Sequence, residues 1–186
     1  MTEGESMVIY IALLRGINVS GHNKIKMVEL RHTLEKMGLN QVQTYIQTGN
    51  VLFKSEESPA PLRLRIENAI RTNFGISITV ILRTAEELER IIANCPYADV
   101  SLAEGESIYV SILTEAPQQK IVDRLADSER NNDEYHIDGR VIYYLFRQNI
   151  LDSKLAKNMQ SLGNTATTRN WNTINKVAAL AKAMQV

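Results

Sequence analysis

The order of apolar periodicities along the chain predicts an α+β protein of two ferredoxin-like (split βαβ) subdomains, each with an antiparallel sheet. Three observations carry this reading. Between Met7 and Leu82 the elements read βαββαβ. From Ser107 onward the order β, α, β, β, α recurs. In each set the adjacent strands are joined by turn chemistry, Thr48-Gly49-Asn50 in one and Asp138-Gly139 in the other. No sequence repeat accompanies the recurrence, so the duplication rests on element order. The expected division is residues 1–83 for the first subdomain and 84–186 for a second, similar one plus a C-terminal helix.

Each element has its own local warrant. Met7 to Leu14 is an unbroken apolar run, as expected of a strand buried on both faces. Met27, Leu30, Leu34 and Met37 lie three or four apart and predict a helix that Gly38 ends. Val42 to Lys54 is expected to fold into two strands about the Gly-Asn turn. Pro59 and Pro61 open a helix whose stripe is Leu62, Ile66, Ala69, Ile70 and Phe74, and Gly75 closes it. Ile76 to Leu82 predicts a strand. Thr84-Ala-Glu-Glu starts a capped helix that turns Leu88, Ile91, Ile92 and Cys95 inward and stops at Pro96. Beyond it the pattern predicts a strand over Ser107 to Leu113 and a helix over Pro117 to Leu125. A hairpin follows over Tyr135 to Phe146, then a helix over Ile150 to Met159 with Leu151, Leu155 and Met159 on one stripe. Gly163 to Thr168 reads as a loop. A last helix, from about Asn170 to Met184, is expected to bury Trp171 with Ile174, Val177, Ala178 and Ala181.

Composition bounds the function classes. Net formal charge is zero over 186 residues, so the surface as a whole does not attract nucleic acid or membrane. That balance hides an asymmetry: residues 153–186 carry five cations and no acid, whereas Thr84 to Asp138 is acidic. A single cysteine, Cys95, excludes an internal disulfide and fits a reducing compartment. With no signal-like or membrane-length apolar run, a cytoplasmic protein is expected. His22, His32 and His136 share no metal-ligand spacing, so no metal site is expected, and no cofactor is indicated.

The stretch most suited to a ligand is Arg15-Gly-Ile-Asn-Val-Ser-Gly-His-Asn-Lys-Ile-Lys26, between the first strand and helix. It holds two glycines, two asparagines, three Lys/Arg cations and no acid. Its glycine spacing is not a P-loop, because His22-Asn23 stands where the Lys-Ser/Thr pair belongs. In a ferredoxin-like half the first strand ends at the sheet edge where the second and third strands turn. The loop should therefore meet Gln47-Thr-Gly-Asn50. A third polar stretch, Thr167 to Thr173, sets hydroxyls, Arg169 and Asn170 at a helix start, where an anion is favoured. The candidate ligand set is thus Arg15, Lys24, Lys26 and Arg169 for charge, with Asn18, Asn23, Gln47, Asn50 and Asn170 for directional hydrogen bonds. Tyr10 and Phe53 fall where RNA-recognition folds stack bases, but the third strand lacks the Lys/Arg-Gly-aromatic signature, which weighs against specific nucleic-acid binding.

These motifs together resemble one family. Leu13-Leu-Arg-Gly-Ile-Asn-Val with Asn23-Lys-Ile-Lys-Met27, Thr44-Tyr-Ile-Gln-Thr-Gly-Asn-Val51, Ser153-Lys-Leu and Thr167-Thr-Arg-Asn-Trp-Asn-Thr173 are similar to bacterial domain-of-unknown-function family 1697. Ser20 replaces a usual Gly and Thr48 a usual Ser. The resemblance implies two ferredoxin-like subdomains and no established activity. The leading expectation is a small anionic or nucleotide-like ligand held in a cleft of the three segments. The alternatives are a hydrolase or transferase, for which only His22 and Ser20 offer a base or nucleophile, and a structural or interaction module without a ligand.

Overall fold

The computed structural model describes residues 6–128 and 132–185, so the polar start of the chain, Met1 to Glu5, lies outside the described residues. The chain forms two compact units. One runs to Glu89 and takes in the chain from Lys176 onward; the other is Arg90–Asn175.

The first unit holds β1 (Val8–Leu14), α1 (Met27–Lys36), β2 (Asn40–Tyr45), β3 (Asn50–Ser55), α2 (Pro59–Phe74) and β4 (Val80–Thr84). The sheet order is β2-β3-β1-β4, all antiparallel. One face carries Tyr10, Ala12, Leu14, Val51, Phe53, Val80 and Leu82, packed with Leu30 and Leu34 of α1 and Leu62, Ile66 and Ile70 of α2. Their neighbours Ile11, Leu13 and Leu52 are buried as well, as strands covered on both faces require. Local chemistry sets the helix ends. Gly38, at φ 94°, lets Leu39 N–H reach Leu34 O and Gly38 N–H reach Glu35 O, a Schellman stop. Gly75 closes α2 at φ 69°.

The fourth strand starts later than Ile76. Its ladder with β1 begins at Val80 (opposite Leu14), preceded by a single bond from Arg15 N–H to Thr79 O at 3.1 Å, while Ile76 and Ile78 still pack on the core. After β4 the chain enters α3 (Ala85–Ala93) through a reciprocal cap: Glu87 N–H donates to Thr84 Oγ1, and Thr84 N–H to Glu87 Oε1, both at 3.1 Å.

The second unit repeats this plan with β5 (Ser107–Leu113), α4 (Gln119–Ala126), β6 (Glu134–Asp138), β7 (Val141–Phe146), α5 (Lys154–Met159) and β8 (Ala166–Asn170). Its sheet order is β6-β7-β5-β8, again antiparallel throughout. The last helix, α6, is Trp171–Ala183. The registers of the two sheets coincide. Tyr10 pairs with Phe53 and Thr84 in one, and Tyr109 with Tyr144 and Asn170 in the other.

Two sequence expectations are corrected here. Thr167 to Asn170 is neither loop nor helix start but the fourth strand that completes the second sheet. Its polar residues serve the core: Ser111 Oγ donates to the buried Tyr144 hydroxyl at 3.0 Å and lies 2.6 Å from Thr168 Oγ1. Burial pushes the Tyr144 phenol up, so the group stays neutral and needs such partners. The helix expected from Ile150 is broken. Ile150–Asp152 is a 3₁₀ turn, Ser153 is extended and caps α5 through Ala156 N–H, and Leu151 is 80% exposed.

Asp133 holds that break in place. It is buried, and accepts from Arg147 N–H (2.7 Å), Gln148 Nε2 (2.8 Å) and Ser153 Oγ (2.7 Å). Asp133→Ala strands these donors, so urea unfolding should show a loss of about 2–4 kcal/mol.

Candidate functional site

The Arg15–Lys26 stretch folds as a small hairpin rather than an open loop. Ser20 (φ 48°) and Gly21 (φ 76°) occupy the two central positions of the turn Val19 to His22, and His22 N–H donates to Val19 O at 2.8 Å. Both positive angles are what a primed hairpin turn demands. One pair outward, Asn18 N–H donates to Asn23 O at 3.1 Å, with both asparagines left-handed. Asparagine tolerates that conformation because its short polar side chain bonds locally. The N–H groups of Asn18 and His22 are therefore used inside the hairpin.

Side chains then fasten the hairpin to the turn between β2 and β3. Asn18 Nδ2 donates to Ile25 O (3.0 Å) and to Gln47 O (2.7 Å), and its Oδ1 accepts from Ile25 N–H (2.8 Å). Asn23 Nδ2 donates to Gly16 O at 3.0 Å. Leu14 N–H reaches Gly49 O at 2.9 Å. Contact there is so close that a Cβ on Gly49 would stand 2.8 Å from Ile17 Cδ1 and from Leu14 Cβ. Fully buried Asn50 closes the turn by donating to Tyr45 O (3.1 Å) and Thr48 Oγ1 (3.0 Å).

The structure thus brings together Arg15 to Lys26 and Gln47 to Asn50, on one edge of the first unit. It also gives three of the asparagines a task within the fold. Asn18, Asn23 and Asn50 turn their amides to the loops' own backbone, because each loop exposes carbonyls that regular pairing does not reach. The charge lies outside. Lys24 and Lys26 are exposed, and neither has an ion-pair partner among the described residues; Gln47 is exposed and Arg15 half-buried.

Arg169 and Asn170 belong to the second unit's sheet. Arg169 is buried within β8, where its Nη1 donates to Thr167 Oγ1 and to Thr168 O (3.1 Å), and desolvation pulls its pKa down to about 10. At neutral pH it remains charged. Asn170 caps α6, accepting from Asn172 N–H at 2.7 Å. Trp171, expected as the buried anchor, is only half-buried. The strand puts Arg169 inside and leaves the tryptophan at the strand-to-helix corner.

Sequence reasoning overlooked Arg83. It is buried in β4 opposite Ile11, as Arg169 is in β8 opposite Val110, and its Nη1 donates to Leu82 O at 2.9 Å. By strand alternation each arginine lies on the sheet face opposite the paired helices. Aligning the two halves by register would have found the pair.

Two clefts within the units are about 630 Å³ beside Glu106, Asn132, Glu134 and Arg147, and about 370 Å³ beside Glu67, Asn68 and Arg71. Among the described residues no group of three or more His, Cys, Asp or Glu side chains is placed to hold a metal ion, and no helix is long and apolar enough to cross a membrane.

The family described as "Protein of unknown function (DUF1697)" matches residues 7–143, which take in the first unit's strands, the hairpin and the turn it grips. The chain belongs to this family. Among solved structures, the DUF1697 chain is similar to the conserved bacterial protein SP0830 from Streptococcus pneumoniae. They share 25% identity and a TM-score of 0.79, over 95% of this chain and 99% of that one. An unknown protein from Galdieria sulphuraria aligns over 96% and 92% of the two chains at 8% identity, but with a TM-score of 0.23 it supports no reading. No curated protein matches.

Two substitutions test how the edge is built. Asn18→Ala removes three hydrogen bonds and should cost about 2–4 kcal/mol in denaturant unfolding. Gly49→Ala combines a left-handed backbone with a close approach and should cost about 2–4 kcal/mol as well. An alanine at Gly38, whose Cβ meets nothing within 4 Å, should cost less than at Gly49.

Proposed function

We propose that this DUF1697 protein binds a small anionic or nucleotide-like ligand at the first unit's edge, where the Arg15–Lys26 hairpin meets the Gln47–Asn50 turn. The observation that carries the reading is the Asn18 clamp. One side chain ties hairpin, helix entry and turn together and so fixes the backbone from which Lys24 and Lys26 extend. A preorganised mount lowers the entropic cost of presenting cations to a ligand. No acid occurs between Arg15 and Lys26, so the local field is positive although the chain is neutral overall. Gln47 would supply direction, and Arg15 further charge. A reducing, cytoplasmic setting goes with this reading, since the one cysteine is a free, buried thiol.

Binding rather than chemistry is the better-supported role. His22 and Ser20 sit exposed at the hairpin tip. Among the described residues neither side chain is hydrogen-bonded to a partner that would activate it.

A thermal-shift series with inorganic pyrophosphate and ATP tests the proposal. The wild-type protein should be stabilised by at least one of them, more weakly as salt rises. Lys24→Glu/Lys26→Glu should abolish that stabilisation and leave the unliganded Tm within a degree or two, because both side chains are exposed. An unchanged response in the double variant would refute the site.

A further inference from the structure

Ile46 is out of keeping with its surroundings. It has φ 51°, and among the described residues it is the one β-branched residue in the left-handed region. Branching at Cβ makes that conformation costly, and turns that need it use Gly or Asn. Burial offsets this only in part, for Ile46 is 46% exposed. Glycine or asparagine would serve the turn better, and a polar residue would serve the surface better. The isoleucine therefore holds a backbone conformation that disfavours it with nearly half of its surface open to solvent.

It is not isolated. The large hydrophobic side chains exposed among the described residues are Met7, Val19, Val28, Ile46, Leu64, Leu102 and Leu151, and three of these seven flank the Asn18 clamp. Val19 follows Asn18, and Ile46 precedes Gln47, whose carbonyl Asn18 holds at 2.7 Å. Val28 lies in the first turn of α1, just past Ile25, which the same amide bonds from both sides. These aliphatic residues, like Lys24 and Lys26, are thus exposed on backbone that the Asn18 clamp holds.

We infer that this edge is a docking site for an acidic peptide segment of a partner protein, its carboxylates meeting Lys24 and Lys26 and its aliphatic side chains covering Ile46 and Val19. The inference rests on the anion-binding reading of the same edge and names the class of ligand. Charge complementarity requires acids on the partner. The exposed hydrophobics favour a ligand that brings apolar side chains beside its acids, which free phosphate does not. Nucleic acid fits less well, because single-stranded bases are held by aromatic platforms and the apolar side chains here are aliphatic.

Panning a random dodecapeptide library on the full-length protein tests this. Enriched peptides should carry Asp or Glu beside Leu, Ile or Val. One such synthetic peptide is then titrated against variants. Ile46→Asn should raise Tm by about 2–4 °C, because asparagine accepts the left-handed backbone that isoleucine resists, yet weaken the peptide about tenfold. Val19→Ser should leave Tm unchanged and also weaken it. Lys24→Glu/Lys26→Glu should abolish binding. Failure to enrich any sequence, selection of peptides without acids, a lower Tm in Ile46→Asn, or unaltered affinity in both Ile46→Asn and Val19→Ser would each overturn the inference. The stabilisation by pyrophosphate or ATP separates the two readings. If Ile46→Asn keeps it while no peptide is enriched, the docking inference falls alone. If Lys24→Glu/Lys26→Glu keeps it, the anion site falls and takes the inference with it.

Discussion

The first unit's edge depends on one close approach, the backbone of Gly49 against Ile17 and Leu14. A side chain at that position would separate the β2–β3 turn from the end of β1. With the turn seated, Leu14 N–H reaches Gly49 O and Asn18 comes within reach of Gln47 O. Beyond Leu14 the hairpin keeps one backbone bond toward β4, from Arg15 N–H to Thr79 O at 3.1 Å, and Ile17 and Ile25 are its buried hydrophobic anchors. Polar side chains therefore perform the work that strand pairing performs elsewhere. Two amides, Asn18 and Asn50, close the hairpin and the turn respectively, and the exposed cations inherit a fixed position from them.

The same plan was used twice in this chain. Both sheets have the order outer hairpin strand, inner hairpin strand, first strand, last strand, and both registers place an aromatic pair and a buried arginine at matching positions. The halves then diverge where function is proposed. The first unit extends the β1–α1 connection into the Asn18 hairpin. The second joins β5 to α4 through the short stretch Thr114 to Gln118. A scaffold repeated with one connection elaborated is what a site carried by loops on a rigid frame looks like.

Much of this was legible from residues. The α+β class, the split βαβ halves, the turns at Gly49 and Gly139 and the caps at Gly38, Gly75 and Thr84 all follow from periodicity and turn chemistry. The meeting of hairpin and Gln47–Asn50 turn followed from topology. What escaped did so for definite reasons. β8 reads as polar because Thr168 joins the hydroxyl chain to Tyr144 and Thr167 accepts from Arg169, so internal partners conceal a buried strand. Leu151 matched the helical spacing, but Asn149 and Ser153 accept main-chain N–H groups and break the helix on either side of it. The bonding of the asparagine amides within the loops was not legible, because nothing in a sequence separates an amide facing solvent from one facing its own loop. The strain at Ile46 was invisible too, since φ is a property of the folded turn.

The central claim is that the edge built around Asn18 receives an anion. A ¹H–¹⁵N correlation titration of the full-length protein with inorganic pyrophosphate reads this residue by residue. Saturable shifts confined to the amides of residues 18–28 and 46–49 are the expected result. Shifts centred elsewhere, or none at millimolar pyrophosphate, would contradict it.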